Sequence, residues 1–441
     1  MAEPRLGVFT GERLENGIDV YHWSTRKFTT AALRLTLHDE LDEHTSARAL
    51  LTGLLKRGTK SWPDMRAFTR RLEELFGASM GIDVAKLGER HTSTFRVEVV
   101  ADAVARRLAL DAPQGGLLLS ALELVREVLF EPIAPGDAFP ADAFDQERQN
   151  LVHAIESVLD DKIAWAQQRH VEEMFRGEPY ARFELGDPAR IATLTARDVL
   201  AFHRHRVATA PMEVFVAGAL EPRDLDRLRE TLAAWPRKSV AALPHEGVVK
   251  PASGPRLLED ELPLAQSKLL IGYRYDPRAL PLRDQYALGL YNAVLGSGST
   301  SKLFKEVREK RGLAYYAHSM VDRFKGALTL SAGIAARNVA SAREVMEAQV
   351  DAMRRGAFTS DDVEIARAGI LNGLRGVNDS AFQAIEFAAT ARIARRIADV
   401  DEAAAMVRSL THDDVVRVAA LPQEDLTYFL KGTEDHEPAA D

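Results

Sequence analysis

Three pairs of side chains in this sequence could hold a metal ion, because imidazole nitrogens and carboxylate oxygens are common metal ligands. The pairs are His153 with Glu156, His170 with Glu173, and His203 with His205. The i, i+3 spacing of the first two puts both groups on one face of a predicted helix. None forms His-x-x-Glu-His or its reverse, in which two histidines bind zinc and the glutamate serves the bound water as base. Isolated pairs are more often solvated or packed, so the sequence predicts no catalytic zinc in this chain.

A second constellation joins an arginine to a tyrosine seven residues later, Arg308 and Tyr315, in "LFKEVREKRGLAYYAHS". The pattern predicts the last turns of a helix, a left-handed residue at Gly312 that ends it, and a strand beginning in "LAYYAHS". Arg308 and Tyr315 could then border one cavity, whereas period-two alternation places Tyr316 on the opposite side. Arginine near a helix C-terminus is also favoured by the helix dipole, so residue types alone leave a structural role open.

The stretch "GSGSTSK" at residues 296–302 suggests a phosphate-binding loop at first sight. It lacks the Gly-Lys-Ser/Thr ending with four residues between the glycines, which such a loop uses to hold phosphates. Ser299, Thr300 or Ser301 more simply caps the helix that follows. The sequence therefore predicts no nucleotide.

An internal repeat in the sequence indicates how the elements that position these residues are organised. "FPADAFDQERQNLVHAIESVLDD" from Phe139 matches "FTSDDVEIARAGILNGLRGVNDS" from Phe358 at one constant offset without a gap. "LTARDVL" matches "LTHDDVV", and "MEVFVAG" matches "LTYFLKG", in the same order. "RRLEELFGASMGI" also resembles "KEVREKRGLAYYAHS". Collinear matches of this kind predict two copies of one domain of roughly 200 residues.

Each copy has a mixed α and β pattern. "IDVYHW" and "AALRLTLH" alternate with period two and predict half-buried strands, while other segments have helical spacing. We expect an α+β fold with helices on one face of a sheet. The predicted domains are residues 1–236 and 257–433, with a Pro- and Gly-containing linker at 237–256 and an acidic tail at 434–441.

Composition narrows the function classes. The 441 residues carry 57 Lys plus Arg against 65 Asp plus Glu, a formal charge of −8, without long blocks of either sign. This balance disfavours nucleic acid as a partner. With zero Cys there is no disulfide or thiolate metal site. The N-terminal sequence lacks a secretory signal, and no apolar run is long enough for a membrane span, so we expect a cytoplasmic protein without a membrane partner.

The arrangement resembles the M16 metallopeptidases, the family of pitrilysin and mitochondrial processing peptidase, in particular the short bacterial M16B members. The resemblance covers nearly the whole chain and includes the tandem domains, "LLKRGT" after the first helix and "GSGSTSKLFKEVREKRGLAYYAHS" in the second domain. It implies an antiparallel-rich sheet with helices on one face in each domain. Active members form a clamshell of four such domains, so this chain corresponds to half of one.

The resemblance also locates the family's zinc positions. Active members bind zinc through His-x-x-Glu-His (HxxEH) before the Gly-Thr turn, and here that motif falls on Ala49, Thr52 and Gly53. The third ligand, a glutamate on a later helix, falls on Ala154 in "LVHAIES". None of these side chains can ligate zinc or act as a useful base.

The resemblance implies a role for Arg308 and Tyr315 in substrate binding and oxyanion stabilisation at a zinc site on a different domain. We therefore expect the non-catalytic subunit of a heterodimeric M16B peptidase, inactive alone, whose zinc resides in a separate HxxEH-bearing chain. Its substrates are expected to be unfolded peptides held in a closed chamber. The alternative is a peptide-binding or assembly scaffold without a role in proteolysis. A homodimer is a second option for the isolated chain.

Overall fold

The computed structural model describes residues 5–238, 240, 242, 247, 249–278 and 280–433. The acidic tail predicted at 434–441 lies outside the described residues, as do several positions of the linker predicted at 237–256. The described residues from 237 to 255 form no helix or strand. The limits of the two sequence copies stay a prediction.

The strands and helices of the described residues interleave along the chain. The strands are β1 (Arg5–Leu6), β2 (Phe9–Arg13), β3 (Ile18–Ser24), β4 (Thr30–Glu40), β5 (Ser79–Leu87), β6 (Arg90–Val100), β7 (Met212–Gly218), β8 (Arg256–Leu262), β9 (Ser267–Arg274), β10 (Ala314–Asp322), β11 (Ala327–Ile334) and β12 (Gln423–Gly432). The helices are α1 (Thr45–Leu54), α2 (Met65–Glu74), α3 (Asp102–Arg107), α4 (Leu117–Phe130), α5 (Ala141–Asp160), α6 (Lys162–Met174), α7 (Pro188–Thr193), α8 (Ala196–Thr209), α9 (Pro222–Ala233), α10 (Leu282–Gly296), α11 (Val339–Arg354), α12 (Ser360–Arg375), α13 (Ala381–Ile393), α14 (Val400–Ser409) and α15 (His412–Ala419). None of the helices in the described ranges combines the length and hydropathy needed to span a bilayer.

The strand order of the two sheets confirms the duplication. The seven-stranded sheet has the order β1-β2-β3-β7-β4-β6-β5, and the five-stranded sheet has the order β10-β11-β9-β12-β8. When the second sheet is followed from its other end, β8-β12-β9-β11-β10 corresponds to β3-β7-β4-β6-β5. The parallel pairs also correspond, because β3 pairs with β7 and β8 with β12 in parallel while the neighbouring pairs are antiparallel. The α+β class and the tandem arrangement are thus as predicted.

Helices cover both faces of the seven-stranded sheet. On one face, Leu33 and Leu35 of β4 pack with apolar residues of α1, α4 and α8. On the other face, Ala32 packs with Ile385 and the alanines of α13. The prediction of half-buried strands is therefore wrong for β4, whose interior residues are buried on both sides.

The five-stranded sheet has the same layering. Leu270 and Tyr428 pack with Ala166 of α6 on one face. On the opposite face of β10, the Ser319 hydroxyl donates to the Asn292 side-chain oxygen of α10 at 2.8 Å. One helix thus packs on each sheet from the side that the main helical layer leaves open.

The chain forms two compact units whose segments are not consecutive. The first contains Met1–Ser157, Arg182–His245 and Val377–Asp399, and the second contains Val158–Ala181, Glu246–Gly376 and Val400–Asp441. Consequently α6 belongs to the unit of the second sheet, and α13 belongs to the unit of the first. Each copy of the repeat contributes a helical segment to the unit built mainly by the other copy.

Candidate functional site

The positions of the family's zinc motif lie on α1 and carry no ligand. Ala49 is buried, with 2% of its surface exposed. The Thr52 hydroxyl donates back to the Ala49 carbonyl at 2.8 Å, a local bond that satisfies the side chain within its own helix. Ala154 lies on an exposed position of α5. These residue types offer no nitrogen, carboxylate or sulfur to a metal ion, so zinc does not fit this site.

The space beside Gly53 is occupied by an ion pair that sequence reasoning missed. A Cβ atom at Gly53 would collide with the Glu147 carboxylate, which reaches over α1 from α5. The Arg57 guanidinium donates to Glu147 from its Nε at 2.5 Å, and Asn150 donates to the same carboxylate at 3.3 Å. A glycine in the interior of a helix is the sequence signal of such a close approach, because it is otherwise unfavourable there.

The alternative metal-ligand pairs have structural roles. His153 and Glu156 form an exposed contact of 3.1 Å on α5. His170 packs against Gly272 of β9, where a Cβ would collide with its ring, and burial lowers the pKa of His170 to about 4. His203 Nε2 lies 2.7 Å from the Leu129 carbonyl oxygen, and burial likewise lowers the pKa of His203 to about 4. Among the described residues there is no group of three or more His, Cys, Asp or Glu side chains that could hold a metal ion.

Residues 296–302 end in a helix cap. The Ser301 hydroxyl donates to the Gly298 carbonyl at 2.8 Å and accepts from the Phe304 backbone N–H at 3.4 Å. Of the three residues predicted as caps, Ser301 takes this role. The hydroxyl is therefore engaged in the local turn.

Arg308 lies on a π-helical segment, Phe304–Glu309, which replaces the final α-helical turns expected from the sequence. Its guanidinium carbon sits 4.6 Å from the Phe304 ring centroid, and its Nε is 3.9 Å from the Glu309 carboxylate. The stacking fixes the direction of the side chain, while 45% of it stays exposed. Because the distance to Glu309 is long, most donors of this guanidinium remain available to a ligand.

The turn after the helix leads into strand β10, in which Tyr315 is the second residue. Gly312 has the predicted left-handed conformation, with φ of 59°, and its N–H donates to the Arg308 carbonyl at 3.0 Å. In the pairing of β10 with β11, Ala314 faces Ile334 and Tyr316 faces Gly333, so Tyr315 is the extra residue of a β-bulge. A bulge changes the direction of a side chain. Tyr315 is 64% exposed, and its hydroxyl has no partner in the part of the chain that the structure describes.

Tyr316 has a different environment from Tyr315. Its ring lies over Gly333 of β11, where a Cβ would collide with it, and stacks obliquely on His318 at 5.5 Å between centroids. Burial raises the pKa of Tyr316. Tyr316 is thus more buried than Tyr315, and the register shift at Tyr315 is a feature that the sequence did not predict.

Comparisons with known proteins were made on both sequence and fold. The family model described as the peptidase M16 inactive domain matches residues 193–370. "Probable inactive metalloprotease YmfF" of Bacillus subtilis is 31% identical over 419 residues, which cover 95% of this chain and 96% of that protein.

Two solved structures have the same fold over nearly the whole chain. A conserved protein from Enterococcus faecalis superposes with a TM-score of 0.87 at 25% identity, covering 98% of this chain and 100% of that one. A peptidase M16 inactive domain from Pseudomonas fluorescens superposes with a TM-score of 0.77 at 19% identity, again covering 98% and 100%. The second likeness concerns the fold alone. Since the Bacillus relative matches over almost its full length, the chain belongs to the peptidase M16 family.

Proposed function

We propose that this chain is the substrate-binding, site-completing subunit of a heterodimeric M16B peptidase whose HxxEH motif lies on another chain. The proposal depends on one combination of features in the same chain. Arg308 and Tyr315 are exposed, while the zinc positions hold Ala49, Thr52, Gly53 and Ala154. A chain of this kind has groups for binding a peptide but none for activating water.

The local backbone supports this role for Arg308 and Tyr315. Both side chains project from irregular elements, a π-helical segment and a β-bulge, which are frequent at functional sites because they re-aim side chains. The hydrogen bond from Gly312 N–H to the Arg308 carbonyl ties the two elements together. An exposed hydroxyl and an exposed guanidinium on one braced turn can meet a peptide without paying to break internal bonds.

In the proposed complex, the zinc held by the partner chain supplies Lewis-acid polarisation of the scissile carbonyl and an activated water. Arg308 donates to a backbone carbonyl oxygen of the substrate. Tyr315 donates to the oxyanion that develops on the attacked carbonyl, where a positioned hydroxyl stabilises the transition state more than the ground state.

Edge strand β10 supports peptide binding next to these residues. It is the last strand on its side of the five-stranded sheet, so its outer backbone groups are directed away from β11. Unfolded peptides can add to such an edge as an extra strand. Tyr315 is the second residue of this strand, so an added peptide would pass its hydroxyl.

Reconstitution tests the proposal. Purified chain, mixed with a purified HxxEH-bearing M16B chain from the same cell, should cleave an unfolded fluorogenic peptide that neither chain cleaves alone. The same mixture should elute as a 1:1 complex on size exclusion. Co-elution without any gain in cleavage would favour the alternative, a peptide-binding or assembly scaffold, and independent elution would exclude the heterodimer with that partner. A cytoplasmic location is part of the proposal, and a homodimer of the isolated chain is compatible with it.

A further inference from the structure

A buried lysine lies on the face of the five-stranded sheet that carries Tyr316. Strand register places Tyr316 of β10, Gly333 of β11 and Lys268 of β9 in one row across the sheet. Only 6% of Lys268 is exposed. Its ammonium lies 5.9 Å from the centroid of the Tyr316 ring and donates to the side-chain oxygen of Gln266 at 2.6 Å.

Lys268 has no carboxylate partner at ion-pair distance among the described residues. Asp161 acts on it only from farther away, and its carboxylate already accepts from the backbone N–H of Ile163 at 2.8 Å as the cap of α6. Burial therefore lowers the pKa of Lys268. A buried ammonium that binds only a neutral amide is unfavourable for folding, so its presence points to an anion that is absent from the free chain.

Two hydroxyl groups also lie on this face of the sheet. The Tyr316 and Ser331 hydroxyls are buried and approach each other, but neither makes a hydrogen bond of ordinary geometry within the described residues. Buried hydroxyls normally have a partner, and both of these can act as donors. Ser331 lies in the row next to Gly333 on the same face, so one ammonium and two hydroxyl donors lie on neighbouring rows of that face.

We propose that Lys268, Tyr316 and Ser331 form a binding site for the carboxylate of a peptide, either an acidic side chain or a chain terminus. One ammonium matches the single charge of a carboxylate, whereas a phosphate dianion would leave a buried charge uncompensated. The side-chain oxygen of Gln266 occupies the carboxylate position in the free chain, and the ligand displaces it. Gln266 is partly exposed, so its amide can turn to water when it leaves.

The neighbouring side chains leave a route to the site. Along β10, the same face continues from Tyr316 to His318 and Met320, and Met320 is 56% exposed. A peptide lying along this strand can therefore extend an acidic group over the sheet to Lys268. The inference rests on the proposed function only in naming a peptide as the source of the carboxylate, and its test needs no partner chain and no cleavage.

Calorimetric titration of the isolated full chain tests the site. The probes are short acetylated alanine peptides with a free C-terminus or a C-terminal amide, and amidated peptides with a central Glu or Gln. We expect the Glu peptide, the free-terminus peptide or both to bind more tightly than their neutral counterparts. Tighter binding of the Glu peptide identifies an acidic side chain as the source of the carboxylate, and tighter binding of the free-terminus peptide identifies a chain terminus. Equal binding of acidic and neutral peptides would overturn the proposal.

Substitutions separate this site from general charge effects. Lys268→Met should weaken acidic binding roughly 10- to 100-fold, as expected for loss of a hydrogen bond between charged groups. Lys302→Met removes one charge elsewhere in the same unit, where the ammonium donates to the Ala357 carbonyl at 3.0 Å, and should leave binding unchanged. Ser331→Ala, which barely alters packing, should weaken binding roughly 2- to 10-fold. Gln266→Ala should strengthen it by removing the competing amide. Retained affinity in both Lys268→Met and Ser331→Ala would refute the site.

Discussion

The zinc positions on α1 and the segment with Arg308 and Tyr315 differ in the polar groups that they offer to a ligand. On α1, Gly53 leaves room for the Glu147 carboxylate, and the Arg57 guanidinium neutralises it. This pair fills the place where a ligating side chain would have to stand. Arg308 and Tyr315, by contrast, are exposed, and Arg308 makes a long ion pair of 3.9 Å with Glu309. The chain therefore offers exposed polar groups at Arg308 and Tyr315 but no zinc ligand at the zinc positions.

The zinc positions give the first prediction. Purified chain, dialysed against metal-free buffer, should retain far less than one zinc per molecule, because Ala49, Thr52, Gly53 and Ala154 provide no ligand. Elemental analysis measures the metal, and a fluorogenic peptide assay measures cleavage. One tightly held zinc per chain together with chelator-sensitive cleavage would contradict both the site description and the proposed function.

The second prediction concerns the tyrosine hydroxyl. In a reconstituted complex, Tyr315→Phe should lower kcat by roughly 10² to 10³, the usual cost of one lost oxyanion donor, while assembly is unchanged. Arg308→Ala should also raise KM, because its bonds to backbone carbonyls form in the ground state as well. Steady-state kinetics separate the two effects.

Tyr291→Phe is the matched control for the tyrosine. Tyr291 is buried in α10, and its hydroxyl has no partner within the described residues, so its removal should leave kcat unchanged. If Tyr315→Phe behaved like Tyr291→Phe, Tyr315 would have no part in catalysis and the scaffold alternative would become the better account.

At the scale of elements, ion pairs to a buried carboxylate connect the exchanged segments to their units. In the second unit, Glu178 accepts from Arg274 at 2.5 Å and lies 2.7 Å from the Lys325 ammonium. In the first unit, Arg392 of α13 donates to Asp19 at 2.6 Å and to Glu213 at 2.8 Å. Such bonds specify where a segment docks, since a mispaired buried charge is costly.

The third prediction tests this arrangement. Glu178→Gln should destabilise the second unit by about 3 to 5 kcal/mol, because the buried carboxylate that contacts both Arg274 and Lys325 loses its charge. Asp351→Asn, which breaks a half-exposed pair with Arg354 at 3.0 Å, should cost less than about 1 kcal/mol. Denaturant unfolding of both variants provides the comparison. Equal small losses would mean that the Glu178 contacts do not stabilise the segment.

Particular elements also show what the sequence could not reveal. Arg34, Thr36 and His38 alternate with apolar residues along β4, the pattern of a strand with one wet face. They are buried because α13, more than three hundred residues later, covers that face and brings Glu386 to within 3.5 Å of Arg34. The alternation of polar and apolar residues along β4 contains no information about a helix as distant in the sequence as α13. The bulge at Tyr315 was invisible for a similar reason, since it depends on the register with β11.

For the whole molecule, the repeat was the strongest information in the sequence. Collinear matches predicted two copies with one topology, and the corresponding strand orders agree with that prediction. Helix position, the left-handed Gly312 and the Ser301 cap were also predictable, because each depends on a few neighbouring residues. The exchange of α6 and α13 between units was not, since a duplicated sequence does not say which copy a helix joins.

The last prediction concerns acid stability, which buried histidines should dominate. Burial lowers the pKa of His91 to about 3 and that of His170 and His203 to about 4, from an ordinary value near 6.5. The neutral form of His91 fits its surroundings, because Nδ1 accepts from Arg48 at 2.8 Å and Nε2 can donate to the Glu184 carbonyl at 3.0 Å.

Between the folded and unfolded pKa values, the unfolded chain binds more protons than the folded one. The free energy of unfolding should therefore be constant above about pH 7 as far as these histidines are concerned, and should fall as pH decreases from about 6.5 towards 4. Each histidine contributes about 1.4 kcal/mol per pH unit in that window. His203→Gln keeps an amide donor near the Leu129 carbonyl but cannot titrate, so it should lower the slope by about that amount. Denaturant unfolding across this pH range measures the slope for both proteins, and an unchanged slope in His203→Gln would show that His203 is protonated in the folded chain.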